Sequence, residues 1–225
     1  MTAHPGRRRY GAVLFDLDGT LLDTLEDLAT AANLALASLG HPEHPVAAYR
    51  HFVGDGLRSL VERILPEPLR GTVAAQATMA AFEQEYRRNW NQRTAPYPGI
   101  EPMLDRLREA GLRLAILSNK PDGFTRLCVE QLLPRWTFEP LFGQRPGVPK
   151  KPDPTAALAI AELLNLTPAE VLYVGDTATD MHTASAAGMD SVGVLWGFRA
   201  AEELRQAGAR WLIAEPVELS ALLSL

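Results

Sequence analysis

An open α/β fold, with a mostly parallel sheet covered by helices on both faces and a helical segment inserted after the first strand, is predicted for this chain by three observations. Short apolar runs at Ala12-Val13-Leu14-Phe15, Leu114-Ala115-Ile116-Leu117 and Val171-Leu172-Tyr173-Val174 have the length and content of buried strands. Helical patterns separate most successive runs, which implies crossover connections and hence parallel pairing. Residues 23–94 break that rhythm with no convincing strand, and they are too many for a plain connection.

The first strand, Ala12 to Phe15, empties into Asp16-Leu17-Asp18-Gly19-Thr20. Helical stretches follow near 25–39, 56–65 and 70–92. Pro98-Gly99 then opens a helix over Ile100 to Ala110, with Met103, Leu104, Leu107 and Ala110 on one face and Gly111 as its stop. A strand over Leu112 to Leu117 ends at Ser118-Asn119-Lys120, and a helical pattern covers Phe124 to Leu133. The proline-stiffened turn Lys150-Lys151-Pro152-Asp153-Pro154 leads into a helix over 155–164 and a strand at 171–174. The remaining elements are a small-residue helix near 178–187 ending at Gly188, a strand from Ser191 to Leu195, a helix near 200–207 ending at Gly208, and the strand Trp211-Leu212-Ile213. Residues 1–22 and 95–225 thus form the core and 23–94 the insertion.

Composition narrows the function classes. With 225 residues, 47% hydrophobic and 22% charged, the chain has the profile of a soluble globular protein. A net charge of −5 argues against nucleic acid as a partner. No apolar stretch approaches the roughly 20 residues that span a bilayer, so no membrane partner is expected. The run Arg7-Arg8-Arg9 reads as a solvated tail, because Asp16 interrupts the apolar stretch that an export signal would need. A single cysteine, Cys128, excludes an internal disulfide and suits a reducing cytoplasm; its helical pattern makes it a packing residue. His4, His41, His44 and His51 lack metal-ligand spacing.

The chemistry lies where strands give way to polar turns, the edge at which open α/β sheets hold ligands. Asp16 and Asp18 are two anions in close proximity, stable only with a cation, a shared proton or strong hydrogen bonds. The pair offers a nucleophile (Asp16), a proton-transfer group (Asp18) and half of a magnesium site. Gly175-Asp176-Thr177-Ala178-Thr179-Asp180 repeats the pattern at the end of another strand. Ser118 and Asn119 offer a hydroxyl and a backbone N–H for phosphoryl oxygens, and a lysine before Pro-Asp-Pro offers charge neutralisation. These are the parts that phosphoryl transfer needs, since its catalysis is mainly positioning and electrostatics.

On these motifs, Asp16-Leu17-Asp18-Gly19-Thr20, then Ser118, then Lys151 before Pro-Asp-Pro, then Gly175-Asp176 through Asp180, the chain resembles the haloacid dehalogenase-like hydrolase superfamily, specifically its phosphatases. Val53-Gly54-Asp55-Gly56-Leu57 and Trp196-Gly197-Phe198-Arg199 make it look most like the phosphoglycolate phosphatases within that superfamily. The resemblance implies a Rossmann-like core, a helical cap over 23–94 that closes on the site, and Mg²⁺ as cofactor. It further implies that Asp16 gives the ion a side-chain oxygen, Asp18 its backbone carbonyl and Asp176 a carboxylate, with Asp180 orienting a bound water or pairing with Lys151. It favours Lys151 over Lys150 as the neutralising cation. Relatives that dehalogenate lack an acid at the second position, so Asp18 argues for phosphate departure. In the cap, Gly54 and Gly56 bracket a helix start where backbone N–H groups can approach an anion, and Arg58 could pair with a substrate carboxylate. Lys120 reads as an exposed charge. The expected partner is a small phosphorylated metabolite and the expected assembly a monomer or homodimer. A sugar phosphomutase would carry the same motifs, whereas a phospho-acceptor signalling domain would lack Asp18 and the insertion.

Overall fold

The computed structural model describes residues 10–225; the arginine run at 7–9 and His4 lie outside them. Six parallel strands form one sheet in the order β5-β4-β1-β6-β7-β8. They are β1 (Ala12–Phe15), β4 (Arg113–Pro121), β5 (Leu141–Gln144), β6 (Val171–Gly175), β7 (Asp190–Val194) and β8 (Trp211–Ile213). β1 lies between β4 and β6, with Phe15 opposite Ile116 on one side and Val174 on the other. Because side chains alternate along a strand, its four apolar residues serve two cores. Val13 and Phe15 join the larger cluster, while Ala12 and Leu14 join the one beneath α7 (Thr155–Leu163) and α8 (Ala178–Ala187). Helices α5 (Ile100–Glu109), α6 (Asp122–Leu132) and α10 (Val217–Leu222) cover the other face. A last helix, α9 (Ala201–Gln206), precedes β8. Chain order runs outward from β1 through β4 to β5, then returns to β6 on the opposite side. That reversal puts the topological switch at the carboxyl end of β1.

Between β2 (Leu22–Asp23) and β3 (Ala95–Pro96), an antiparallel pair of two residues each, the helices are α1 (Leu25–Ser38), α2 (Tyr49–Phe52), α3 (Leu57–Ile64) and α4 (Val73–Asn89). The two ends of this insertion are pinned together. Buried Asp27, in the first turn of α1, accepts hydrogen bonds from the N–H of Arg93 and from the N–H and hydroxyl of Thr94, the last two at 2.8 and 2.7 Å. The helix predicted over 70–92 is shorter at both ends, and Thr72 caps it by accepting from Ala74 N at 3.2 Å.

The structure departs from the sequence reading elsewhere too. The strand predicted to stop at Leu117 continues to Pro121, with its register against β5 shifting between those two residues. β5 itself was unannounced: Leu141-Phe142-Gly143-Gln144 is short, half exposed and lies at the sheet edge, where no apolar periodicity is required. Among the described residues, no helix is long and apolar enough to cross a membrane.

Candidate active site

The ends of β1, β4 and β6 and the loop before α7 bring Asp16, Ser118, Asp176 and Lys151 together, all buried. Lys151 Nζ lies 2.9 Å from Asp16 Oδ1 and 2.7 Å from Asp180 Oδ1. The contact with Asp16 has an ion pair's distance without a hydrogen bond's angles, so that buried oxygen accepts no hydrogen bond from the described residues. Asp180 is the opposite case. Its Oδ1 takes the lysine's hydrogen bond, and its Oδ2 accepts from the N–H and hydroxyl of Thr177 at 3.1 and 2.7 Å, closing the capping box of α8.

Asp176 is held by Thr20 Oγ1, donating at 3.1 Å to one oxygen, and by the N–H of Phe198, donating at 2.8 Å to the other. Two glycines permit this. Gly19 has φ +88°, and a side chain there or at Gly197 would collide with the Asp176 carboxylate. The Trp196-Gly197-Phe198-Arg199 segment also grips the insertion. Arg199 donates to the carbonyls of Arg50 and Val53, and Arg50 donates back to the Gly197 carbonyl at 2.7 Å.

Asp16, Asp176 and Asp180 present oxygens within 4.8 Å of one another. Burial pushes the Asp16 carboxyl up to about 7; Lys151 opposes the rise and Asp180 reinforces it. Asp176 is also held well above the ordinary carboxylate range, by burial first and then by Asp180 and Asp16. Lys151, although buried, is driven well above its usual value by Asp16 and Asp180. Three carboxylates thus face one ammonium, and a divalent cation would supply the missing charge. The donors are hard oxygens, one of them without a hydrogen-bond partner, so these residues fit an ion of the magnesium class.

Other predicted residues divide. Ser118 lines the cavity beside Asp16, and its Oγ accepts the Lys120 N–H at 3.2 Å. The Asn119 side chain works on the protein itself. Its amide donates to the carbonyls of Lys151 and Gly54, and its oxygen accepts from Lys151 N at 2.9 Å, locking the lysine loop to the insertion. Gly54 (φ +110°) and Gly56 (φ +85°) line the cavity, and a side chain at Gly56 would crowd the Asn119 carbonyl. Arg58 is exposed and does not line it, so the structure does not bring the expected carboxylate partner to the site. Asp55, between the glycines, accepts from Thr179 Oγ1 at 2.5 Å and from Arg63; these bonds hold its carboxyl below the usual range against the effect of burial.

Lys120 corrects the sequence reading most clearly. It is buried, and its Nζ donates to both oxygens of Asp18 at 3.0 and 3.1 Å and to the hydroxyl of Tyr86, on α4, at 2.7 Å. Its burial depends on a tyrosine in the insertion, which no local pattern around Ser118-Asn119-Lys120 could reveal.

A sequence profile of the haloacid dehalogenase-like hydrolase family matches residues 13–194. A phosphoglycolate phosphatase of Psychrobacter arcticus is 35% identical over 204 residues, covering 86% of this chain and 87% of its own. One from Nitrosospira multiformis is 34% identical over 217 residues, covering 94% and 95%. In three dimensions, a candidate phosphoglycolate phosphatase from Lactobacillus delbrueckii subsp. bulgaricus superposes with a TM-score of 0.88 at 30% identity, covering 96% of this chain and 98% of that one.

Proposed function

The chain belongs to the haloacid dehalogenase-like hydrolases, and on that premise we propose that it is a Mg²⁺-dependent phosphatase whose substrate is 2-phosphoglycolate. One observation carries the chemistry: Asp16, a buried carboxylate ion-paired with Lys151, lines the same cavity as Asp18 and Ser118. The near-full-length relatives named as phosphoglycolate phosphatases support the substrate.

Asp16 attacks phosphorus. Its Oδ–P bond forms as the bond from phosphorus to the leaving oxygen breaks, and Asp18 gives that oxygen a proton. Asp18 then takes a proton from water as the water oxygen displaces Asp16 from phosphorus. Ser118 Oγ and the backbone N–H of Asn119 hold non-bridging oxygens, while Lys151 offsets their charge. Asp16, Asp176 and the Asp18 carbonyl would hold Mg²⁺, whose charge would reduce repulsion between the anionic nucleophile and the anionic substrate. Asp180, with both oxygens occupied by the protein, keeps Lys151 in place. We assign the cap to residues 23–94 and place the enzyme in the cytoplasm, where buried Cys128, its thiol pushed up to about 11 by burial, is inert.

A panel of phosphorylated metabolites assayed with Mg²⁺ tests this reading. The expected result is hydrolysis to inorganic phosphate, with the highest kcat/KM on 2-phosphoglycolate. Isomerisation of a sugar phosphate without phosphate release would overturn it in favour of a mutase. The loop that holds Asp176 gives a second test. Gly197→Ala puts a methyl group into the Asp176 side chain and the Gly19 carbonyl, and should lower kcat/KM by about 10²-fold, the effect of misplacing a catalytic group by roughly 1 Å. Its thermal transition, measured alongside, should move far less; wild-type activity would mean that the loop does not set the carboxylate.

A further inference from the structure

We propose that Lys120 and Tyr86 are the receptor for the anionic tail of the substrate. The inference rests on the phosphatase reading and names the groups that choose the leaving group. An anion entering this cavity meets Asp16, Asp18 and Glu83, all carboxylates, and among the described residues Lys120 is the one basic residue in its lining. Lys151, held by Asp16 and Asp180, serves the phosphoryl oxygens, and Arg58 is outside.

Position agrees with charge. Lys120 Nζ sits 3.0 Å from the carboxylate of Asp18, the group assigned to protonate the leaving oxygen. In 2-phosphoglycolate one CH₂ separates the leaving oxygen from the carboxylate carbon, so a carboxylate oxygen lies roughly 3 Å from the leaving oxygen by standard bond lengths. A tail that short ends beside whatever surrounds Asp18, and Lys120 is there. With only 4% of its side chain exposed, the ammonium is shielded from water, so an anion placed beside it feels its charge with little screening.

Tyr86 supplies the second donor. Its hydroxyl accepts from Lys120 at 2.7 Å, and among the described residues its own hydrogen is given to no acceptor, although the side chain is buried and lines the cavity. The ring is fixed by stacking on Phe82, with centroids 5.4 Å apart, and by an edge contact with Phe124 at 5.0 Å. A rigid phenol with an unspent hydrogen beside a lysine is a carboxylate site of two donors. Because Tyr86 comes from α4 and Lys120 from β4, the receptor is complete only when the insertion covers the core.

The test is the ratio of kcat/KM on 2-phosphoglycolate to kcat/KM on ethyl phosphate, which replaces the carboxylate by a methyl group. Any common loss through Asp18 cancels in the ratio. Lys120→Met and Tyr86→Phe should each lower the ratio by about ten- to a hundredfold, the range for losing a hydrogen bond to a charged group. Lys120→Arg, which keeps the charge, should stay within about threefold of wild type. If Lys120→Met fails to fold, Tyr86→Phe and Lys120→Arg decide the matter. An unchanged ratio in the folded Met or Phe variant would overturn the receptor and leave Lys120 as a group that positions Asp18. Equal wild-type efficiency on both substrates would also overturn it while leaving the phosphatase standing. Hydrolysis of neither substrate with Mg²⁺ would bring down the phosphatase reading itself.

Discussion

Asp16→Asn should abolish turnover, by on the order of 10⁴- to 10⁶-fold, as removal of a covalent nucleophile does elsewhere. The expected loss is chemical because the amide keeps the carboxylate's shape while withdrawing the anion that attacks phosphorus. The fold should survive. Lys151 retains Asp180 at 2.7 Å, and the replaced carboxyl is one that burial already pushes toward its neutral form. Steady-state phosphate release from purified variant and wild type, with circular dichroism to verify folding, makes the measurement. A folded Asp16→Asn enzyme within tenfold of wild type would exclude the aspartyl-phosphate route. Mass spectrometry of the acid-quenched wild-type enzyme should show a phosphate-sized increment on the peptide carrying Asp16, and the variant should not.

Asp16 was legible because its signal is local: an apolar strand ending in acids separated by one residue places polar groups at a sheet's carboxyl edge whatever lies further along the chain. Asp176 was legible for the same reason, Lys151 through the family resemblance that favours it over Lys150, and the helical insertion because more than sixty residues passed without a strand pattern. What escaped depends on contacts distant in sequence. Lys120 looked like a solvent-facing lysine until Tyr86, 34 residues earlier, closed over it. The Asn119 amide reads as turn chemistry, yet it ties Lys151 to Gly54 across separations of 32 and 65 residues. Arg58 erred in the other direction. A glycine-bracketed helix start does point backbone groups at the cavity, but the second residue of α3 turns its side chain to solvent, a matter of helical phase that eight residues leave open. Trp196-Gly197-Phe198-Arg199 marked a likeness without a mechanism. Its work is to orient Asp176 by a backbone N–H and to dock the insertion by an arginine, and neither is written in the residue types alone.

Asp176→Asn should separate metal binding from stability, and the sign follows from protonation. Asp16 and Asp176 have folded-state pKa values raised above their unfolded ones, Asp16 from 3.8 to about 7. Between those values the native state binds more protons than the unfolded state, so the stability they govern falls as pH rises. Asp55 and Asp122, held below the usual range by their partners, act oppositely and lose their contribution as pH falls below about 4. The metal-free protein should therefore be most stable in mild acid. Asp176→Asn removes one uncompensated buried charge, so the metal-free variant should gain on metal-free wild type as pH rises from 4 to 8. Saturating Mg²⁺ should raise the wild-type transition temperature at pH 8 and leave that of the variant nearly unmoved, because one carboxylate of the pair is gone. Thermal melts at each pH, in chelator and in Mg²⁺, give both readings without recourse to activity. Parallel pH curves for variant and wild type in chelator would mean that Asp176 is already compensated in the folded chain. The charge deficit that a divalent cation fills would then lie elsewhere.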